Sequence, residues 1–130
     1  MTTVYLDTLQ LLTLTGSLLG HAPEVRDVGL LESAMARPRT TVMGAEAYPT
    51  VHLKAATLLD SVVSNPALVD GNKRAGIVAA FVFYRLNGVD LDAPHEPLFQ
   101  LITSIADGTE RDVDAIADAL ASWCRPVGER

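Results

Sequence analysis

Apolar positions recur along nearly the whole chain at the three- and four-residue steps by which a helix turns one face to a core. Leu6, Leu9, Leu11, Leu12, Leu14 and Leu18 predict a first helix that stops near Gly20. Asp27 can cap a second, which carries Leu30, Leu31, Ala34 and Met35 and ends before Pro38. A third opens at Pro49 or Thr50, with Leu53, Ala56, Leu59, Val62 and Val63 on its apolar face. It must end at about Asn65, because Pro66 disfavours helical angles in the residue before it. A fourth runs from about Asn72 to Asn87 and is apolar nearly all round through Ile77, Val78, Phe81, Val82 and Phe83, the character of a central, buried helix. Gly88 suits a left-handed stop after it. Glu96 to Ala106 and Asp112 to Trp123 supply two more, with Leu98, Leu101 and Ile102 on one and Val113, Ile116, Ala117 and Leu120 on the other.

One stretch breaks the helical pattern. Within Arg39 to Tyr48, the run Thr40-Thr41-Val42-Met43-Gly44 is β-prone and then interrupted by glycine, which suits a hairpin, an extended strand or an ordinary surface loop. The expected architecture is all-α: about six helices in a single domain over residues 1–130, with no internal repeat and no low-complexity linker.

Composition narrows the class. Apolar residues make up 48% of the chain and charged residues 20%, the balance of a globular protein with a real core. The formal net charge of −6 argues against an extended nucleic-acid surface, which needs a basic face. Cys124 is the only cysteine, so no intrachain disulfide can form and a cytoplasmic setting is expected. It falls in the last helical pattern beside Trp123, where a small packing residue is the plainer reading and a reactive thiol the sharper one. The N-terminus lacks the basic start and apolar centre of a signal peptide. The longest apolar run, Ala75 to Tyr84, is about half what crosses a bilayer, so no membrane association is expected.

The chemistry is concentrated between Asn65 and Arg74, in Asn-Pro-Ala-Leu-Val-Asp-Gly-Asn-Lys-Arg. Gly71 can adopt backbone angles closed to other residues and turn peptide N–H groups toward a ligand. The helix opening at about Asn72 offers free N–H groups and a positive dipole end to an anion. Lys73 and Arg74 bring a point charge and a planar fork to the same place. Asp70 adds a carboxylate suited to a magnesium ion. The stretch reads as a phosphate-binding helix start, although Asp-Gly-Asn is also common turn chemistry and Lys-Arg is often a solvated pair.

Asp70-Gly71-Asn72-Lys73-Arg74 resembles the core of the Fic/Doc motif, His-x-Phe-x-Asp-Gly-Asn-Lys-Arg. Lys73 resembles the Doc branch, since the AMP-transferring Fic enzymes usually carry glycine there. Gly29 to Ala34 with Arg37-Pro38 is similar to the family's second helix and the start of its flap. Ala106-Asp107-Gly108 and the helix after it resemble the Doc C-terminal part. The family's phenylalanine falls on Leu68, an apolar exchange that can keep an anchoring role. Its histidine, the general base, falls on Pro66, which has no titratable group and no backbone donor.

The resemblance implies an all-α Fic/Doc fold with a flap over residues 39–48, where strand pairing positions a target peptide. It implies the toxin of a toxin–antitoxin pair, a kinase that moves the γ-phosphate of ATP to a threonine of elongation factor Tu and halts translation. Asp70 would hold Mg2+, Gly71 and Asn72 the phosphates, while Lys73 and Arg74 would stabilise the transferred charge. A Phd-like antitoxin is the implied partner. A well-placed base is worth roughly 10² to 10⁴ in rate, so Pro66 implies that nucleotide binding survives and transfer is largely lost. The other readings are a non-catalytic nucleotide- or antitoxin-binding pseudo-enzyme, and an AMP transferase, which Lys73 disfavours. His52 begins a helix that ends at the motif, while His21 and His95 sit in expected loops, so none of the three stands in for the missing base. Asp70 could do so only if it held no metal.

Overall fold

The computed structural model describes residues 2–128; the ends of the expected domain at 1 and 129–130 lie outside them. Six α-helices carry the described residues: α1 (Thr8–Leu19), α2 (Val28–Ala36), α3 (Val51–Ser64), α4 (Asn72–Leu86), α5 (His95–Ala106) and α6 (Val113–Ala121). Local chemistry sets most of their ends. Asp7 caps α1 in a reciprocal box with Gln10, Asp27 accepts from the Leu30 N–H, Thr50 from Leu53 and Asp112 from Asp114. Gly20 ends α1 at φ 83°, in the left-handed region that a helix stop uses. Pro38 turns the end of α2 into a short 3-10 turn, Arg37–Arg39, and Pro66 stops α3 at Ser64 with Asn65 as its cap.

The centre of the bundle is α3, not α4. Nine of the fourteen residues of α3 are buried, against six of the fifteen in α4. α3 packs on α2, on the 3-10 turn, and on α4, α5 and α6. The reason lies in side-chain size. The face that α4 turns inward is made of Ala75, Gly76, Ala79 and Ala80, which lets the two helix backbones approach, with Phe83 and Tyr84 filling the far end. Its branched and aromatic residues Ile77, Val78, Phe81 and Val82 instead share an open apolar groove with Leu14 and Leu18 of α1, and Phe81 is 41% exposed. Apolar character all round α4 reflects two different neighbours, core on one side and a half-covered surface on the other.

Two small antiparallel sheets complete the fold. The expected flap is a hairpin, β1 (Thr41–Val42) with β2 (Ala45–Glu46), pairing Thr41 with Glu46 and Val42 with Ala45. Its two-residue turn places Met43 at φ 52° and Gly44 at φ 82°, the doubly positive geometry that matches strand twist in tight hairpins. The second sheet joins β3 (Val89–Leu91), directly after Gly88, to β4 (Cys124–Pro126). Helical periodicity gives no sign of it, because each strand is three residues long and its partner lies over thirty residues away. Cys124 therefore sits in a strand rather than the last helix. Its Sγ donates to the Leu120 carbonyl at 3.2 Å, and burial pushes the thiol up, as suits a packing residue. His95 is the first residue of α5 and not part of a loop, since Pro94 takes the cap position before it.

Candidate functional site

The segment between α3 and α4 is held in a fixed shape by the chain before α2. The Arg26 and Asp27 N–H groups both donate to the Ala67 carbonyl, at 2.7 and 3.0 Å, and the Val69 N–H donates to Glu24 O at 2.9 Å. Val25 and Leu68 form an antiparallel bridge between these pairs. Leu68 is 1% exposed and belongs to the core, which gives it the anchoring role expected of the apolar residue there. Pro66 is exposed, and its carbonyl accepts from the Arg26 guanidinium.

Asn72 closes the loop from the other side. Its Oδ1 accepts from the Leu68 N–H and its Nδ2 donates to the Leu68 carbonyl, each at 2.9 Å. The side chain is thus committed to the main-chain N–H and carbonyl of one loop residue. Gly71 precedes it at φ 87°, ψ 15°, and its peptide N–H donates to Asp70 Oδ1 at 2.8 Å. A Cβ at position 71 would meet Leu19 Cδ1 at 3.2 Å as well as the strained backbone.

α4 therefore begins with no side chain capping it. The first bond of the helix runs from the Ala75 N–H to the Gly71 carbonyl at 2.8 Å. The N–H groups of Asn72, Lys73 and Arg74 have no partner among the described residues, as the opening turn of a helix leaves them. A cavity of about 470 Å³ opens at this point, lined by Leu19, Val63, Val69, Ala106 and the five residues from Asp70 to Arg74.

The charges around it are unusual for a helix start. Lys73 and Arg74 are exposed cations at the positive end of a helix dipole, and no acidic side chain occupies the first turn to offset them. Cations are disfavoured there and anions favoured. Asp70 shares the cavity wall with these cations, and Asp107, just past α5, also feels Lys73. The Asp107 carboxyl is held below the ordinary range first by the Thr109 hydroxyl, then by the Thr109 N–H at 2.9 Å, and to a smaller degree by Lys73. Chemically the place suits a multiply charged anion: free N–H groups, two cations and a shaped hollow.

Five of the six sequence-derived site residues, Asp70, Gly71, Asn72, Lys73 and Arg74, come together on this wall, whereas Pro66 is not part of it. Leu19, Val63 and Ala106 complete the wall from three other helices, and nothing in their local sequence marks them. Arg26 is likewise invisible in sequence, since its partner lies forty residues on. His52 is on α3 with Nδ1 2.8 Å from the Tyr84 hydroxyl, and is not a wall residue.

The model of the Fic/DOC family matches residues 5–84, from just before α1 to two residues short of the end of α4. The chain is also 44% identical over 123 residues to a protein of Mycolicibacterium smegmatis named Toxin Doc, covering 93% of this chain and 94% of that one. With the motif loop, its pinned apolar anchor and the uncapped helix all inside the matched region, this chain belongs to the Fic/DOC family.

Proposed function

We propose that this protein is the toxin of a toxin–antitoxin pair, built as a Doc-type phosphotransferase that binds ATP with its phosphates at the start of α4. The observation that carries the reading is the uncapped first turn of α4 beside Lys73 and Arg74, a concentration of free N–H donors and cations that favours a bound anion. The likeness to the mycobacterial relative named Toxin Doc supports the toxin assignment, and with it an antitoxin, Phd-like by resemblance, as partner.

The residues fit magnesium. Asp70 lines the cavity and uses Oδ1 for the Gly71 N–H, which leaves its second oxygen without a hydrogen-bond partner among the described residues. No group of three His, Cys, Asp or Glu side chains gathers among the described residues. A metal at Asp70 would share its coordination with phosphate oxygens and water, as Mg2+ commonly does. When bound, the ion would neutralise charge on the phosphates. The chain's own part is positional: Gly71 turns the backbone, the N–H groups of Asn72 to Arg74 receive phosphate oxygens, and Lys73 and Arg74 stabilise charge on the moving phosphoryl group.

Transfer to a threonine of elongation factor Tu, the reaction that the family resemblance suggests, also requires a proton acceptor for the attacking hydroxyl. Pro66 offers none. We infer that transfer is impaired by roughly 10² to 10⁴ while nucleotide binding persists. The same residue favours a second reading, a pseudo-enzyme that binds nucleotide or antitoxin without chemistry.

A labelled-ATP transfer assay on elongation factor Tu, with this chain and with Pro66→His, tests the reading. Label only with Pro66→His means a kinase scaffold disabled at one position. Equal transfer by both removes the base argument. Silence from both folded proteins, with ATP still bound, leaves the pseudo-enzyme.

A further inference from the structure

Lys54, in the first turns of α3, is the one charged residue buried among the described residues, with 2% of it exposed. A buried ammonium is costly unless it is paired and hydrogen-bonded. Both of the partners it has lie in one segment. Its Nζ donates to Glu46 Oε1 at 3.0 Å and to the main-chain carbonyl of Tyr48. Glu46 is the last residue of β2, and Tyr48 follows the hairpin on its way back to α3.

The hairpin cannot hold itself. Thr41, Val42, Ala45 and Glu46 are all exposed, and Met43 at its tip is fully so. A two-stranded hairpin without a buried face is marginal in water. Its order comes from its base. There the Ala47 N–H donates to Thr40 O at 2.9 Å, and Lys54 binds the outgoing strand from the core side. A second cation, Arg37, stands over the Tyr48 ring at 5.7 Å and is itself tied to Asp60 at 2.8 Å and Ser61 at 2.9 Å on α3.

We propose that Lys54 is a positioning residue for the protein substrate: its buried ammonium fixes as a rigid edge the hairpin at which the family resemblance already implies strand pairing with the target. An apolar side chain of similar length would keep most of the packing but leave Glu46 and the Tyr48 carbonyl without this partner. What the ammonium adds is direction, because it selects two particular oxygens of the outgoing strand. α3 then carries that constraint to Ser64 and Asn65, directly before position 66. Edge and motif loop are held by one helix, so the docked segment and the phosphate site keep a constant relation. This rests on the transferase reading above.

The test uses Lys54→Met, which keeps the stem and its burial, and Glu46→Ala, a surface change that cannot empty the core. The first readout is hydrogen exchange over residues 40–47, independent of activity. Both variants are expected to speed exchange there severalfold while amides of the α3 core keep their rates. Unchanged hairpin exchange in both variants overturns the anchor. The second readout places each change in the Pro66→His background and measures transfer to elongation factor Tu. KM for the protein is expected to rise about tenfold, equivalent to about 1.4 kcal/mol, with KM for ATP and kcat within about twofold. A loosened hairpin with an unchanged protein KM overturns the docking role. Should Pro66→His transfer nothing, the transferase reading falls separately, and direct titration of elongation factor Tu decides the docking role. Weaker binding by Lys54→Met than by the parent chain supports it, while equal binding by the two, or none by the parent chain, overturns it.

Discussion

Replacing Asn72 with alanine separates two roles that a residue in this motif can have. Its amide closes on Leu68 through two 2.9 Å hydrogen bonds, one to the N–H and one from the side chain to the carbonyl. Each such bond contributes about 1 kcal/mol net, more where the stranded group is cut off from water. The pair therefore stabilises the folded chain by about 2 kcal/mol, against which alanine's better helix propensity returns about 0.5 kcal/mol. The expected loss is about 1.5 kcal/mol, a fall in melting temperature of roughly 6 °C for a domain of this size. The same change releases the loop from α4, so the N–H groups of Asn72, Lys73 and Arg74 lose their fixed spacing. Affinity for ATP is expected to fall about tenfold or more, in line with the importance of preorganised donors. Differential scanning fluorimetry and ATP titration on one sample supply both numbers. A drop in ATP affinity with the melting temperature unmoved would refute this account, and would make the Asn72 side chain a direct phosphate ligand. If neither moves, the loop is held by its pairing with residues 24–27 alone.

Two further changes probe the frame around the site. At Gly76, a Cβ would stand 2.5 Å from Val63 Cγ2 and 3.3 Å from Leu59 Cδ1. Gly76→Ala is expected to lower the denaturant midpoint, because overpacking of about 1–3 kcal/mol outweighs the helix gain of about 1 kcal/mol; a raised midpoint would mean a looser α3–α4 contact. Burial lowers the His52 imidazole below its ordinary 6.5, so the folded chain takes up that proton less readily than the unfolded chain. The unfolded state then binds more protons between the folded value and 6.5, and stability rises with pH across that window. Its contribution is complete above 6.5 and is lost as pH falls through the depressed value. His52→Asn, which keeps a hydrogen-bonding partner for the Tyr84 hydroxyl, is expected to flatten the stability profile just below pH 6.5; an unchanged slope assigns the dependence to carboxylates.

What the sequence determined by itself is local. Asp27, Thr50 and Asp112 cap the helices that follow them, Gly20 and Gly88 stop the ones before them, and Pro66 ends α3 where it must. Each of these effects acts within about four residues, so a one-dimensional reading captures it. The grouping of donors and cations over residues 70–74 was legible for the same reason, since they are consecutive and share one helix start. Only the tertiary structure decided the rest. It made α3 the hub, because small residues on one face of α4 matter only once a second helix lies against them. It gave Asn72 a partner in Leu68, and brought Glu24 to Asp27 alongside the motif loop. It buried Lys54 beneath a hairpin whose own residues carry no sign of the contact. It also paired β3 with β4 across the length of two helices. Those outcomes depend on which distant groups meet, and a buried charge or an unpaired peptide group finds its partner only when the chain has closed around it.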